Sequence, residues 1–274
     1  MGKALSEAEI ERYRQEGYHF PVRAFSAEEM AGLCREAEAL EGQLGESLVD
    51  YRSKIHLVST VLSGLIRHPA ILDAVEDVIG PDILCWNTHF FTKEAGSDEH
   101  VAWHQDGVYW GLDPTDVVSA WLAFTESTEA NGAMCVIPGT HRTLLGHVDT
   151  GVESNLLSRH QQVDGTVDSS RAVALTLEPG EFSLHHVQIV HGSQPNRTER
   201  RRIGLSRRYV AAHVRQIAGK ADSATLVRGE NTHGNFELEP RPAKDFDPAV
   251  LAVRERLKEQ QAAFLYRSLE GPDT

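Results

Sequence analysis

The spacing of apolar and polar positions changes character near residue 82. Before it, Ser6-Glu7-Ala8-Glu9 and Ser26-Ala27-Glu28-Glu29 each place a serine three residues ahead of a glutamate. In that arrangement the two side chains reciprocally satisfy orphan amide donors at a helix start, so two helices are predicted to begin there. A third is predicted at "HPAILDAVEDVIGPD", where Pro69 suits the first turn and Gly80-Pro81 ends the run. The first eighty residues therefore read as helical.

From Asp82 onward the runs are short and rich in β-branched and aromatic residues: "ILCWNTHFF", "DVVSAWLAF", "AMCVIPG", "AVALTLEPGE", "FSLHHVQIVHG" and "RRIGLSRRYVA". Separated by Gly, Pro and Asn, they have the rhythm of a sandwich or barrel. The polar stretch from His141 to Arg171 is too long for a plain hairpin loop and reads as a lid or insertion. Gly219 to Asp247 reads as irregular, and Asp247-Pro248 then caps a helix, "PAVLAVRERLKEQQAAFLYRSL", expected to pack on the sheet. One domain is expected, with a helical part (1–81), a β core (82–214) carrying the 141–171 insertion, and a covering segment with a terminal helix (215–274).

Composition narrows the function classes. A formal charge of −13 argues against a general phosphate-backbone binder, which needs a basic surface to release counterions. Apolar runs stay short of the roughly 18 residues that a membrane span needs. The N-terminus resembles no signal or transit segment, so a cytoplasmic protein is expected, without nucleic-acid or membrane partners. Cys34, Cys85 and Cys135 lack paired spacing and read as free or buried thiols. A monomer or homodimer acting on a small molecule fits these limits.

Candidate chemistry starts at "WHQDGVYWG". In an extended arm, residues i and i+2 share a face, so His104 and Asp106 address one point while Gln105 turns away. An imidazole and a carboxylate so placed suit a first-row divalent metal, and two His with one carboxylate typify non-haem Fe(II) oxygenases. In a chain with 14 histidines this pair alone leaves two readings, a metal arm or a histidine bonded to its neighbour. Farther on, in "LHHVQIVHGSQPNRTERRRIGLSRRY", His191 ends an alternating apolar strand and precedes Gly192, Ser193, Pro195 and a strongly basic strand. A ligand and an anionic co-substrate can meet at such a place.

Taken in order, "WHQD", "AWLAFTESTEANGAMCVIPGTHR", "PGEFSLHH" and "VHGSQPNRTERRRIGLSRRY" resemble the phytanoyl-CoA dioxygenase family of Fe(II)/2-oxoglutarate oxygenases, from about Glu9 to Val214. The resemblance implies a mainly β fold with flanking α: a double-stranded β-helix, or cupin-like jelly roll, with N- and C-terminal helices packed outside. It implies Fe(II), 2-oxoglutarate and O2 as cofactor and co-substrates. His104, Asp106 and His191 match the family's iron ligands. Arg202, eleven residues after His191, matches the arginine that pairs with the distal carboxylate of 2-oxoglutarate. A planar, permanently charged guanidinium suits that task. Ser193 matches a co-substrate hydroxyl contact, Trp121 an aromatic wall of the same pocket, and His89 lies near another co-substrate position. In this strand Arg200 and Arg201 are expected to be solvated. Halogenases that resemble the family carry a small residue in place of the carboxylate; with Asp106 present, hydroxylation is the expected outcome.

Substrate contacts are expected around the mouth of that site. Tyr109 and Trp110 form either an aromatic wall able to bind ammonium groups or part of the core. Asn87 and His89 alternate inward on "CWNTHFF". Arg52, Lys54 and His56 in "YRSKIH" share one face if extended, forming a basic edge for a substrate carboxylate, phosphonate or phosphate. His185 and His186 are expected to be bystanders, although His186 can look inward. The texture of "EANGAMCVIPGTH", "NLLSRHQ" and "DSATLVRG" resembles the bacterial small-molecule branch of the family, which implies a small polar or zwitterionic substrate such as an aminoalkylphosphonate, an amino-acid-like metabolite or a natural-product intermediate. A cupin-like hydrolase or isomerase using zinc at the same triad would not need Arg202, and a ligand-binding jelly roll would not need the metal.

Overall fold

The computed structural model describes residues 2–45, 47–48, 53–157, 160–217 and 222–267 of the 274-residue chain. Both predicted capping boxes are formed: α1 (Glu7–Glu16) starts on Ser6 with Glu9 reaching back, and α2 (Ala27–Leu44) on Ser26 with Glu29. Helix α1 stops at Gly17, whose φ of 83° only glycine adopts readily, and a Cβ there would also strike the His141 ring. Helices α3 (Thr60–Leu65) and α4 (Pro69–Ile79) follow, the second with proline in its first turn as expected.

A strand, β1 (Tyr18–Arg23), lies between α1 and α2, where the sequence reads as helical. Its "YHFPVR" run pairs with a strand more than 150 residues downstream, and that long-range pairing overrides the helical surroundings. The later strands are β2 (Ile83–Lys93), β3 (Val101–His104), β4 (Val117–Ala123), β5 (Met134–Val136), β6 (Val173–Ala174), β7 (Glu181–His186), β8 (His191–Ser193), β9 (Arg202–Ala211), β10 (Asp222–Arg228) and β11 (Phe236–Leu238). They form a seven-stranded sheet in the order β1-β7-β4-β9-β2-β10-β11 and a four-stranded sheet in the order β3-β8-β5-β6. Together these make the jelly roll. The segment after Gly219 is thus not wholly irregular: β10 adds to the large sheet beside β2. Helix α6 (Pro248–Arg267) follows as predicted, with Val250 and Leu257 buried.

Strand alternation divides the large sheet into two chemistries. On β4, β7 and β9 one set of positions (Val118, Ala120, Leu122, Phe182, Leu184, Ile203, Leu205, Tyr209) packs under the helices with Ile66, Ile71, Leu72 and Val75. The other set (Ser119, Trp121, Ser183, His185, Arg202, Ser206, Arg208) faces inward, and five of these seven line a cavity. The 141–171 insertion carries a short hairpin, His147–Asp149 with Gln161–Val163, and brings Leu157 to the same cavity. Among the described residues no helix is long and apolar enough to cross a membrane.

Candidate active site

β3 ends at His104, and the chain turns at Asp106 into the single-turn helix α5 (Gly107–Trp110), so the predicted extended arm is shorter than expected. His191 opens β8 and sits directly across the ladder from His104. One ligand atom from each of His104, Asp106 and His191 lies within 4.8 Å of the others. The Nδ1 atoms of His104 and His191 face the carbonyls of Ala102 (2.9 Å) and Ile189 (3.0 Å), the donor position for a neutral ring. Both Nε2 lone pairs then point toward the Asp106 carboxylate, at 3.3 and 3.9 Å. Three electron-pair donors converging with no proton between them are what a divalent cation neutralises, so the residues fit a metal. Burial opposes the charge on Asp106, but His104, His191 and Arg208 around it hold its carboxyl well below the usual carboxylate range. Burial and His104 push His191 well below its ordinary value, keeping it neutral as a ligand must be.

The arm is bolted in place by Gln105, the residue between the two ligands. Its side chain donates to the carbonyls of Thr143 (2.8 Å) and Gln188 (2.6 Å) and accepts from the Leu145 amide (2.8 Å). Its own amide donates to His147 Nε2 at 2.9 Å.

Around the triad is a cavity bounded by Phe91, Val101, Trp121, Met134, Leu157, His185, Ser193, Arg202, Ser206 and Arg208. Arg202 is buried, its Nε finds no hydrogen-bond partner, and its guanidinium carbon lies 5.2 Å from the centre of the Trp121 ring. Burial alone lowers its pKa, to about 10, which leaves it charged at neutral pH. Trp121 can lie flat there because Gly204 stands beneath it; a Cβ at 204 would overlap the indole. Lys93, overlooked in the sequence, is directly across the ladder from Arg202 and donates to Ser193 Oγ at 2.7 Å and to the Gln194 carbonyl. Burial, then Arg202, pushes Lys93 down to about 7. A cationic guanidinium with an orphan N–H, beside an amine whose charge a bound anion would favour, fits an anionic co-substrate.

The structure thus brings His104, Asp106, His191, Arg202, Ser193 and Trp121 to one cavity and leaves the other predicted residues that it describes off its wall. Lys54 has a left-handed backbone and Ile55–Leu57 is a 3-10 turn, so the expected basic edge is not extended. Lys54 is fully buried and donates to Glu239 Oε1 (2.5 Å) and to the carbonyls of Trp86 and Ser223. His56 is buried against Thr88, Thr225 and Glu239. Neither is open to a substrate, and Arg52 lies outside the described residues. Trp110 packs on Trp86 with ring centres 5.1 Å apart and belongs to the core. Tyr109 meets His147 edge-on. Asn87 accepts from the Lys54 amide, and the His89 ring packs on Phe91, which itself lines the cavity.

The two adjacent histidines exchange roles. Alternation along β7 turns His185 inward, 5.0 Å from the His191 ring, while His186 packs on His141. Arg200 is exposed as expected, but Arg201 is not simply solvated: Glu41 of α2 clamps it at 2.6 and 2.7 Å.

A jelly roll with a convergent His-Asp-His centre and a buried, unpaired arginine defines the class of non-haem iron, 2-oxoglutarate-dependent oxygenases. Comparison with known proteins agrees. The family model for phytanoyl-CoA dioxygenase (PhyH) matches residues 3–204, and the chain belongs to that family. A probable alpha-ketoglutarate-dependent hypophosphite dioxygenase of Stutzerimonas stutzeri is 29% identical over 245 residues, covering 80% of this chain and 85% of the relative. An ectoine dioxygenase of Bordetella parapertussis is 25% identical over 219 residues, covering 70% and 71%. Among solved structures, the apo form of the non-heme monooxygenase ThoJ superposes with a TM-score of 0.83 at 35% identity, covering 96% of this chain and 99% of that one. CytC3 with Fe(II) and alpha-ketoglutarate gives 0.66 at 25% identity, covering 90% and 97%. The protein is an Fe(II)/2-oxoglutarate-dependent dioxygenase.

Proposed function

We propose that the enzyme hydroxylates an unactivated C–H bond of a small polar or zwitterionic metabolite, with His104, Asp106 and His191 holding the iron and Arg202 pairing with the distal carboxylate of 2-oxoglutarate. The observation that carries this reading is that the convergent triad and the unpartnered Arg202 share one cavity. When bound, iron and co-substrate supply the oxidising power: 2-oxoglutarate loses CO2 to become succinate as O2 is consumed, and one oxygen atom is delivered to the substrate.

The protein's own residues bind, orient and exclude water. Three protein ligands leave metal positions open for co-substrate and oxygen. Lys93 steadies the Ser193 hydroxyl, and Trp121 packs under the Arg202 guanidinium, so both co-substrate contacts are held before binding. Phe91, Val101, Met134 and Leu157 give the cavity apolar walls that keep the reacting centre dry. A pocket walled by Phe91, Trp121, Met134 and Leu157 and shared with a five-carbon diacid favours a small substrate over a long acyl chain. The names of the hypophosphite and ectoine relatives point the same way.

Anaerobic Fe(II) and 2-oxoglutarate should produce a weak visible charge-transfer band, and oxygen with a suitable small substrate should release succinate. Arg202→Met should raise the 2-oxoglutarate KM about tenfold to a hundredfold, the loss expected for a charged hydrogen-bond pair. A wild-type protein without the band would overturn the cofactor assignment, and turnover confined to fatty acyl-CoA would overturn the substrate class.

A further inference from the structure

The inward row next to the metal ligands contains polar groups that the co-substrate reading leaves unused. In the ladder, His185 of β7 pairs with Ser119 of β4, and Ser119 pairs with Arg208 of β9. The three side chains therefore stand side by side on the inner face of the sheet. His185 Nδ1, Ser119 Oγ and Arg208 Nε are all buried atoms without a hydrogen-bond partner. His185 and Arg208 both line the cavity, and the Arg208 guanidinium is supported from behind by the Trp110 ring, 4.5 Å from its centre. Arg208 lies six positions beyond Arg202 on the same strand face, roughly 20 Å of extended backbone, so the two guanidinium groups enter the cavity from different points along the strand.

Buried polar atoms are ordinarily satisfied, so three orphans in one row mark a place where a ligand completes the bonding. A guanidinium, a hydroxyl and an imidazole can all donate, and together they suit an oxyanion. We infer that Arg208, Ser119 and His185 form a subsite for an acidic group of the substrate, a carboxylate or a phosphorus oxyanion, at the end of the cavity remote from Arg202. The inference rests on the oxygenase reading above and deepens it: the substrate carries an anion, and that anion fixes which C–H bond faces the metal. The aromatic wall expected for an ammonium group is replaced at this point by a cation, because Trp110 is already covered by Arg208.

The test uses the full chain with Fe(II) and saturating 2-oxoglutarate under anaerobic conditions, titrated with propionate, methylphosphonate and the neutral propanamide. Binding is followed by calorimetry and by the change in the charge-transfer band. Wild type should bind one or both anions in preference to propanamide, and the preferred anion shows whether the subsite takes carbon or phosphorus acids. Arg208→Met should weaken anion binding about tenfold to a hundredfold while the band persists. Ser119→Ala should weaken it by less, and Arg208→Lys should restore part of the loss, which also keeps the test decisive if the methionine variant does not fold. Equal binding of propionate, methylphosphonate and propanamide would overturn the inference. So would unchanged anion affinity in Arg208→Met and Arg208→Lys, or loss of the band in Arg208→Lys, which would assign the guanidinium to the co-substrate instead. If wild type shows no band, the cofactor assignment fails separately, and calorimetry on the metal-free protein still decides whether Arg208 binds the anion.

Discussion

Two buried clusters in this protein are built from the same kinds of side chain and end in opposite states. One joins Lys54, His56 and Glu239; the other joins His104, His191 and Asp106, with Arg202 and Arg208 nearby. In the first, Lys54 makes three donor bonds, and Glu239 also accepts from Ser223 and Thr225, so the charges are answered from within. Burial opposes the charge of Glu239, yet Lys54 and His56 hold its carboxyl down at about 2. In the second, the lone pairs converge on each other and the guanidinium Nε atoms have no partner. A residue list cannot tell the two apart. Bonding capacity left over at the wall of a cavity distinguishes a site from a structural tie.

The sharpest way to break the comparison is to remove one carboxylate from each cluster. Asp106→Ala should cut succinate release by about a thousandfold or more, a rise of about 4 kcal/mol in the barrier, while thermal denaturation of the metal-free protein barely changes. Glu239→Ala should do the reverse. It leaves Lys54 charged and unpaired, at a cost of about 3–5 kcal/mol, and should lower the melting midpoint by about 10 °C, with any folded enzyme still binding metal.

Acid probes the buried histidines next. Burial pushes His185 and His186 down to about 4 and His191 well below its ordinary value of 6.5. The unfolded chain therefore binds more protons between those values, so the stabilisation is fully present above about pH 6.5 and drains away as pH falls toward about 4. Denaturant midpoints of the metal-free protein at about pH 7.5, 6 and 5 should show the decline; saturating metal should reduce it, because metal-bound His191 resists protonation. The smallest effect should have the opposite sign. Arg207, on the helix side of β9, is wholly buried with both terminal guanidinium nitrogens unpartnered and does not line the cavity. Arg207→Met should stabilise by about 1 kcal/mol, read as a rise of about 2–4 °C in the melting midpoint.

Much of this was legible in the sequence where the signal is local. Capping serines, the proline-first helix and the alternating runs after Asp82 each depend on neighbours within a few positions. The grouping of HxD, His191 and Arg202 came from the family resemblance of the ordered motifs that carry them. What was missed depends on distant partners or on strand parity. Glu239 is 185 positions from Lys54, and Glu41 is 160 from Arg201, so neither tie is visible from a run of basic residues. His185 and His186 are adjacent and chemically identical; only the pairing of β7 with β4 decides which one looks inward. Tyr109 and Trp110 follow the metal arm in sequence, but a single helical turn swings Trp110 into the core.

Gln105 has a consequence for how such an enzyme changes its substrate over evolutionary time. Every partner of its side chain is a backbone atom, on Thr143, Leu145 and Gln188. The identities of Thr143 and Leu145 are therefore free to drift without disturbing the arm, whereas His147, whose ring accepts from the Gln105 amide, and the length and path of the stretch are not. Homologues can be expected to diversify this stretch by substitution readily, and a graft of different length between 140 and 147 would need Gln105 to be redesigned with it.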